Sequence, residues 1–339
     1  MKRRDFLSGF GAVSATWLMS VGAAPARAQT PGRIYRLGHL ANSADSETFT
    51  RQITLPELAR LGFIEGRNLV FDGRVGQPDA LPRLMGELLA AKPDAIIAVG
   101  PAIAAAGKAT RSVPVVTFGF DPIELGFAAS YAKPGGNVTG VVILASELEV
   151  KRLSILLEAV PGRKRIAALV PTTGAGMNEA ALQKAAERLG VKLLVFTVAT
   201  SGDYPAAFAA MQAQGVQGLL IGATPQFFAD GRQLASLALQ ARLPTVCEWP
   251  DMARAGCLVG YGPSRTALRK RMAAQIVQIF RGVAPGDIPI ERPTVLELAL
   301  NLGVANLSGS PSLTRCSPPP ARWWNEVLAG GIHEAQTIS

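Results

Sequence analysis

The chain has 339 residues, 48% hydrophobic and 17% charged, with a formal net charge of +9. This composition describes a folded globular chain long enough for two domains, not a disordered one. The basic residues form no Lys/Arg stripe interleaved with aromatics, which argues against nucleic-acid binding, and only three cysteines argue against a disulfide framework.

Residues 1–28 read as an export signal. Lys2, Arg3 and Arg4 precede an apolar stretch that ends in the cleavage pattern Ala26-Arg27-Ala28. Arg3-Arg4 followed by Asp5, Phe6 and Leu7 resembles a bacterial twin-arginine signal, with an ordinary secretory signal as the alternative. The mature chain then starts near Gln29 and lies in the periplasm. No later apolar run approaches the roughly 20 residues needed to span a bilayer.

Strand-like and helical runs alternate after the signal. RIYRLGHLA (33–41) predicts a strand, SETFTRQITLPELARLGF a helix ending at Gly62, and NLVFDGRV a strand. LPRLMGELLAAK carries apolar residues at helical spacing, DAIIAVG is a buried strand, Pro101 opens a helix, and VPVVTFG is the next strand. KPGGNVTG (133–140) reads as a tight turn feeding a strand, with Gly135 and Gly136 supplying positive φ; no lysine follows its glycines, so it is not a phosphate loop. The same order restarts with RIAALVP, GMNEAALQKAAERLG, VKLLVFTVA, PAAFAAMQAQG, GLLIGA, ADGRQLASLALQAR and LPTVCE. Two rounds of this kind predict an α/β fold of two doubly wound, Rossmann-like lobes with parallel sheets.

Ligands of such sheets bind at the carboxyl ends of the strands, where strand order reverses. The loops there supply Asn42, Ser43, Gly100, Pro101, Ala102, Asp121, Thr172, Thr173, Thr224, Pro225 and Glu248 as candidate ligand-binding residues. Helix N-termini after several of these loops would offer N–H groups to a carboxylate. Catalytic chemistry is weakly supported. With only His39 and His333, neither a histidine metal site nor a Ser-His-Asp triad is expected, and no cofactor is called for. His39 reads as a structural histidine in preference to a ligand contact. Asp121 and Glu248 could act as an acid/base pair, but holding a ligand's ammonium group is the favoured role. Cys247 and Cys257 read as two buried free thiols, with pairing in an oxidising compartment as the alternative.

The stretch DPIELGFAASYAKPGGNVTGV (121–141) resembles the most distinctive motif of the ABC-transporter substrate-binding family that includes tryptophan- and tyrosine-type binding proteins. Asp121, Pro122, Gly126, Pro134, Gly135, Gly136, Asn137, Thr139 and Gly140 carry the match, and Tyr261-Gly262 and Gly282, Pro285, Pro289, Glu291 and Pro293 extend it. Two loops depart from the family pattern, Thr172-Thr173-Gly174 and Gly100-Pro101. The resemblance implies a type I periplasmic binding fold that closes by a hinge, with crossovers near Val141, Tyr261 and Leu296. Lobe 1 would comprise 29–141 and 262–285, lobe 2 142–261 and 286–305, and Tyr261 joins the candidate site. The implied function is capture of a small solute, an amino acid (aromatic in characterised relatives) or related carboxylate, by a monomer that serves an ABC permease. A sensor for a membrane kinase, or a hydrolase or lyase using Asp121 and Glu248, is the alternative.

The tail departs from the family. SGSPSLTRCSPPPARWW (308–324) contains Cys316, a proline run and Trp323-Trp324, where relatives end in an apolar helix. Read one frame over, the two TGG codons with an Asn codon AAT yield Val, Glu and a stop, which resembles the missing family ending. Residues 306–339 are therefore expected to be out of frame, with a genuine Pro-rich arm as the alternative.

Overall fold

The computed structural model describes residues 32–172, 178–307 and 334–338. Its first sheet begins with strand β1 (Tyr35–Ala41) and includes β2 (Leu69–Val75), β3 (Ala95–Val99), β4 (Val115–Gly119) and β5 (Val138–Val142), in the parallel order β2-β1-β3-β4-β5. Both faces are covered, which is why the central strand β3, AIIAV, is apolar and buried throughout, while the edge strand β2 carries Asp72 and Arg74. On one face lie α3 (Leu81–Ala90) and α4 (Ala102–Ala109), which bury Leu84, Met85, Leu88 and Ile103. On the other lies the helical run α1 (Ala44–Phe49), a π-helical segment Thr50–Thr54 and α2 (Leu55–Arg60). Pro56 has no N–H to give the preceding turn, and the widened π turn falls just before it.

The second round builds a second sheet. Helix α5 (Ala145–Ala159) leads into β6 (Arg165–Pro171), α6 (Glu179–Arg188), β7 (Lys192–Val198), α7 (Tyr204–Ala213), β8 (Gly218–Ile221), α8 (Pro225–Ala229), α9 (Gly231–Gln240), β9 (Thr245–Cys247), α10 (Pro250–Arg254) and β10 (Val259–Pro263). After α11 (Arg265–Phe280), the chain adds β11 (Leu296–Asn301), α12 (Leu302–Leu307) and β12 (Glu334–Ile338). The sheet order is β12-β11-β10-β9-β8-β6-β7, with only β10 and β11 antiparallel. The expected two-lobed α/β architecture is what forms.

Three strands of chain connect the lobes. The first leaves β5 through Ile143 and Leu144, and Leu144 takes a left-handed backbone with φ 52. The second is Ser264, which caps α11 and whose N–H donates to Val295 of the third connection at 2.9 Å. Helix α11 returns to the first sheet and buries Leu268, Met272, Ala273 and Ile276 there. Residues 286–291, expected with the second lobe, instead run along the first. Glu291 donates its N–H to the Gly140 carbonyl and accepts from Val142, and the Thr139 hydroxyl donates to Ile288 at 2.8 Å.

Two further expectations change. Cys247 and Cys257 are both buried, as expected, but they form a disulfide with Cα atoms 6.5 Å apart. Cys247 ends β9, where it pairs with Gly260, and Cys257 stands two residues before β10, so the bridge closes the segment that carries α10 between the two strands. Within the tail, β12 pairs in parallel with β11 at the sheet edge, and 308–333 and 339 lie outside the described residues.

The candidate solute-binding cleft

In both sheets the strand order reverses beside the first strand of the round, between β1 and β3 and between β6 and β8. The carboxyl ends of β1, β3 and β4 and those of β8 and β9 open on a cavity between the lobes. Its first-lobe wall includes Asn42, Ser43, Asp45, Phe49, Gly100, Phe118 and Phe120, and its second-lobe wall includes Thr224, Pro225, Phe228, Glu248 and Trp249. Arg265 and Arg269, four residues apart on one face of α11, close the inner end.

The lobes touch where Gly100 meets Pro225. Gly100 has φ +56, and a side chain there would begin 3.6 Å from the proline ring. Thr224 caps α8 by accepting from the Phe227 N–H at 3.1 Å, which turns Phe228 toward the first lobe. Phe228 and Phe49 then face each other with ring centroids 6.1 Å apart. The Arg265 guanidinium lies 3.8 Å from the Phe49 centroid, 4.4 Å from Phe228 and 5.3 Å from Trp249, and it forms an ion pair with Asp251. Such cation–π contacts strengthen when water is excluded.

Deeper in, the charges are buried. Arg269 is 3% exposed and donates through Nη1 to Thr50 Oγ1 at 2.9 Å; burial and the neighbouring Arg265 push it down to about 9. Behind the second-lobe wall, Arg152 is fully buried and donates to the carbonyls of Tyr261 at 2.8 Å and Glu248 at 3.4 Å. Burial pushes the Glu248 carboxyl up to about 7 and Glu149 up to about 8, against the pull of Arg152. His39 is fully buried below Arg269, and burial first, with Arg269 and Arg51, lowers it to about 3, so it is neutral. Neither of its ring nitrogens has a hydrogen-bond partner.

The cavity thus gathers Asn42, Ser43, Gly100, Thr224, Pro225 and Glu248 from the sequence candidates. The others stand elsewhere. Pro101 and Ala102 begin α4, and Ala102 is buried in the first-lobe core. Asp121 holds its own loop together, accepting from the Ile123 N–H at 2.8 Å and from the Tyr131 hydroxyl. Thr172 is exposed at the end of β6, and Thr173 lies outside the described residues. The Tyr261 ring belongs to the second-lobe core. The aromatic residues and both α11 arginines were not among the candidates. Arg265 follows directly on the second crossover, and that position was the available signal for it.

Among the described residues no cluster of His, Cys, Asp and Glu could hold a metal ion, and no helix is long and apolar enough to cross a membrane. A tyrosine-binding protein of Clostridioides difficile (strain R20291) is 23% identical over 248 residues, 71% of this chain and 70% of that protein. Among solved structures, a conserved domain protein of Vibrio cholerae superposes with TM-score 0.75 at 20% identity, covering 89% of this chain and 99% of that one. A Streptococcus pneumonia ABC domain in complex with L-Trp superposes with TM-score 0.73 at 19% identity, covering 88% and 99%. The profile of the ABC transporter substrate binding protein family matches residues 43–309, so the chain belongs to that family and is a solute-binding component of an ABC transporter.

Proposed function

We propose that this receptor binds a small carboxylate-bearing solute, an amino acid or related acid with an aromatic group favoured, and delivers it to a permease of the inner membrane. The observation that carries this reading is the origin of the cavity walls in different lobes, so that a solute is enclosed only when the hinge closes. The ring-rich lining supports an aromatic group, and so do the relatives described as tyrosine-binding and as holding L-Trp. The contact set is Asn42, Ser43, Gly100, Thr224, Pro225 and Glu248, with Phe49, Phe228, Trp249, Arg265 and Arg269 added. The receptor acts as a monomer in the periplasm after twin-arginine export.

A receptor is preferred to a hydrolase or lyase because Asp121, needed beside Glu248 for acid/base work, is engaged by Tyr131 and does not line the cavity. A thermal-shift screen of amino acids and organic acids, followed by mass spectrometry of each hit, tests this. Stabilisation without conversion is expected; chemical conversion of a hit overturns it. Replacing Arg3 and Arg4 together by lysine is expected to leave the unprocessed chain in the cytoplasm of a twin-arginine-competent host.

The reading of 306–339 as out of frame is supported by the family match ending at residue 309. Resequencing the gene across codon 306 decides it: a confirmed sequence with the alternative frame closed there removes the idea.

A further inference from the structure

Arg269 differs from every other cation around the cleft. Arg265 is paired with Asp251 and also feels Glu248 and Asp45, and Arg152 lies between the carboxyls of Glu248 and Glu149. Arg269 has no carboxylate within ion-pair distance among the described residues, and the charge acting on it is the like charge of Arg265. Its Nε has no hydrogen-bond partner although the side chain is 3% exposed and lines the cavity. A buried cation without a partner is strongly unfavourable, so an anion entering the cleft is stabilised there well beyond its value in water.

The surroundings narrow the anion further. Arg269 lies 4.5 Å from the centroid of Phe118 and 5.7 Å from Phe49, and Phe120, Phe228 and Trp249 complete a ring-rich lining. Flat rings and the guanidinium plane of Arg265 favour a flat apolar body over a polyol, which would need many more hydrogen-bonding groups than this wall offers. An ammonium group finds no comparable place. Asp251 already serves both Arg254 and Arg265, and Glu248 stands beside Arg152 and receives a hydrogen bond from the Trp249 side chain. Asp45 lines the outer groove as well as the cavity and acts on Arg265. A zwitterion, neutral overall, would leave the charge of Arg269 uncompensated and set its ammonium facing two guanidiniums.

We propose that the solute is an aromatic monocarboxylate lacking an α-ammonium group, its carboxylate held by Arg269 at the inner end of the cleft. This rests on the solute-receptor reading and specifies the class of solute. A carboxylate fits a guanidinium through two parallel charge-assisted hydrogen bonds, and the unpartnered Nε supplies one donor of that fork.

Isothermal titration calorimetry of the full chain with matched compounds tests the assignment. The acids are 3-(4-hydroxyphenyl)propionate and indole-3-propionate, and the comparison arms are L-tyrosine and L-tryptophan, tyramine and tryptamine, and D-glucose. An acid is expected to bind at least tenfold more tightly than the matching amino acid, and the amines and glucose are expected not to bind. Arg269→Met is expected to weaken the acid at least a hundredfold while leaving the ligand-free melting temperature unchanged or raised, because an unpaired buried charge has been removed. Arg269→Lys should recover part of the lost affinity. An amino acid that binds as tightly as its acid overturns the proposal, and so does full affinity in Arg269→Met. Loss of the fold, or a lower ligand-free melting temperature in Arg269→Met, would mark Arg269 as a strut on Thr50 and overturn it too. Binding of glucose alone sinks the anion but leaves the receptor standing. If no arm binds, the anion is rejected, and the receptor reading falls with it only if the broader thermal-shift screen is also blank.

Discussion

Phe49 of the first lobe and Phe228 of the second face each other across the cleft with ring centroids 6.1 Å apart. They belong to short helices that pack with different sheets, so their approach spans the two lobes. Arg265 lies within 4.4 Å of both centroids and ties the pair to the hinge helix α11.

Removing one ring should therefore affect closure more than folding. Phe228→Ala is expected to weaken solute binding about tenfold to a hundredfold, the scale of losing a buried aromatic contact of about 1–3 kcal/mol. The melting temperature of the ligand-free chain should shift by only a few degrees. Calorimetry and small-angle scattering check this; an unchanged affinity with the same closed profile would contradict it.

Gly140 is a stricter position. It sits at φ +143 in β5, and a Cβ there would collide with the backbone of Thr117 on β4. Gly140→Ala is expected to destabilise the first lobe by about 3 kcal/mol or more, since neither the angle nor the neighbour can give way cheaply. Urea denaturation measures it, and a loss below about 1 kcal/mol would remove this explanation for glycine in the PGGNVTG turn and strand.

Glu149 and Glu248 make stability depend on pH in a defined direction. Their folded-state carboxyls are raised by burial to about 8 and about 7, above the ordinary value of 4.5. The folded chain therefore holds more protons than the unfolded one between about pH 4.5 and pH 8, and these groups weaken the fold as pH rises through that window. Glu149→Gln should flatten the decline, matching the parent near pH 5 and melting higher near pH 8. Melting curves across this range test it; a steeper decline in the variant would be the wrong sign.

The Cys247–Cys257 bridge closes a short loop, the two residues being 10 apart in sequence. Replacing both by serine is expected to lower stability by about 2–3 kcal/mol through the unfolded chain's regained freedom and the altered packing of two buried sulfurs. Titration of the denatured, unreduced chain should find one thiol, Cys316. Three thiols would show that the bridge does not form.

The rhythm of apolar strands and helices, read along the chain, established the two-lobed class, because a strand buried on both faces must be apolar throughout and therefore announces itself locally. The turn chemistry of KPGGNVTG was legible in part: of Gly135 and Gly136, both expected at positive φ, only Gly135 takes it, at φ +78, while Gly140 in the strand that follows, for which no such need was read, has φ +143. Loops at strand ends were legible as well, which is why Asn42, Ser43, Gly100, Thr224, Pro225 and Glu248 could be named before any geometry. The strand-end rule brought in Asp121 and Thr172 too, because it identifies a sheet edge but cannot separate a side chain that faces the cleft from one that staples its own loop.

What only the tertiary structure decided is the inner chemistry of the cleft. Arg269 and Thr50 are 219 residues apart, and they meet because α11 recrosses the hinge and packs on the first sheet, in contact with the π-helical segment. The disulfide likewise depends on how the segment between β9 and β10 folds back to bring Cys257 within 6.5 Å of Cys247, which local sequence does not announce. A charge buried without a counter-ion leaves no mark in composition or periodicity. It arises from what two distant segments exclude when they come together, and here they exclude water from Arg269.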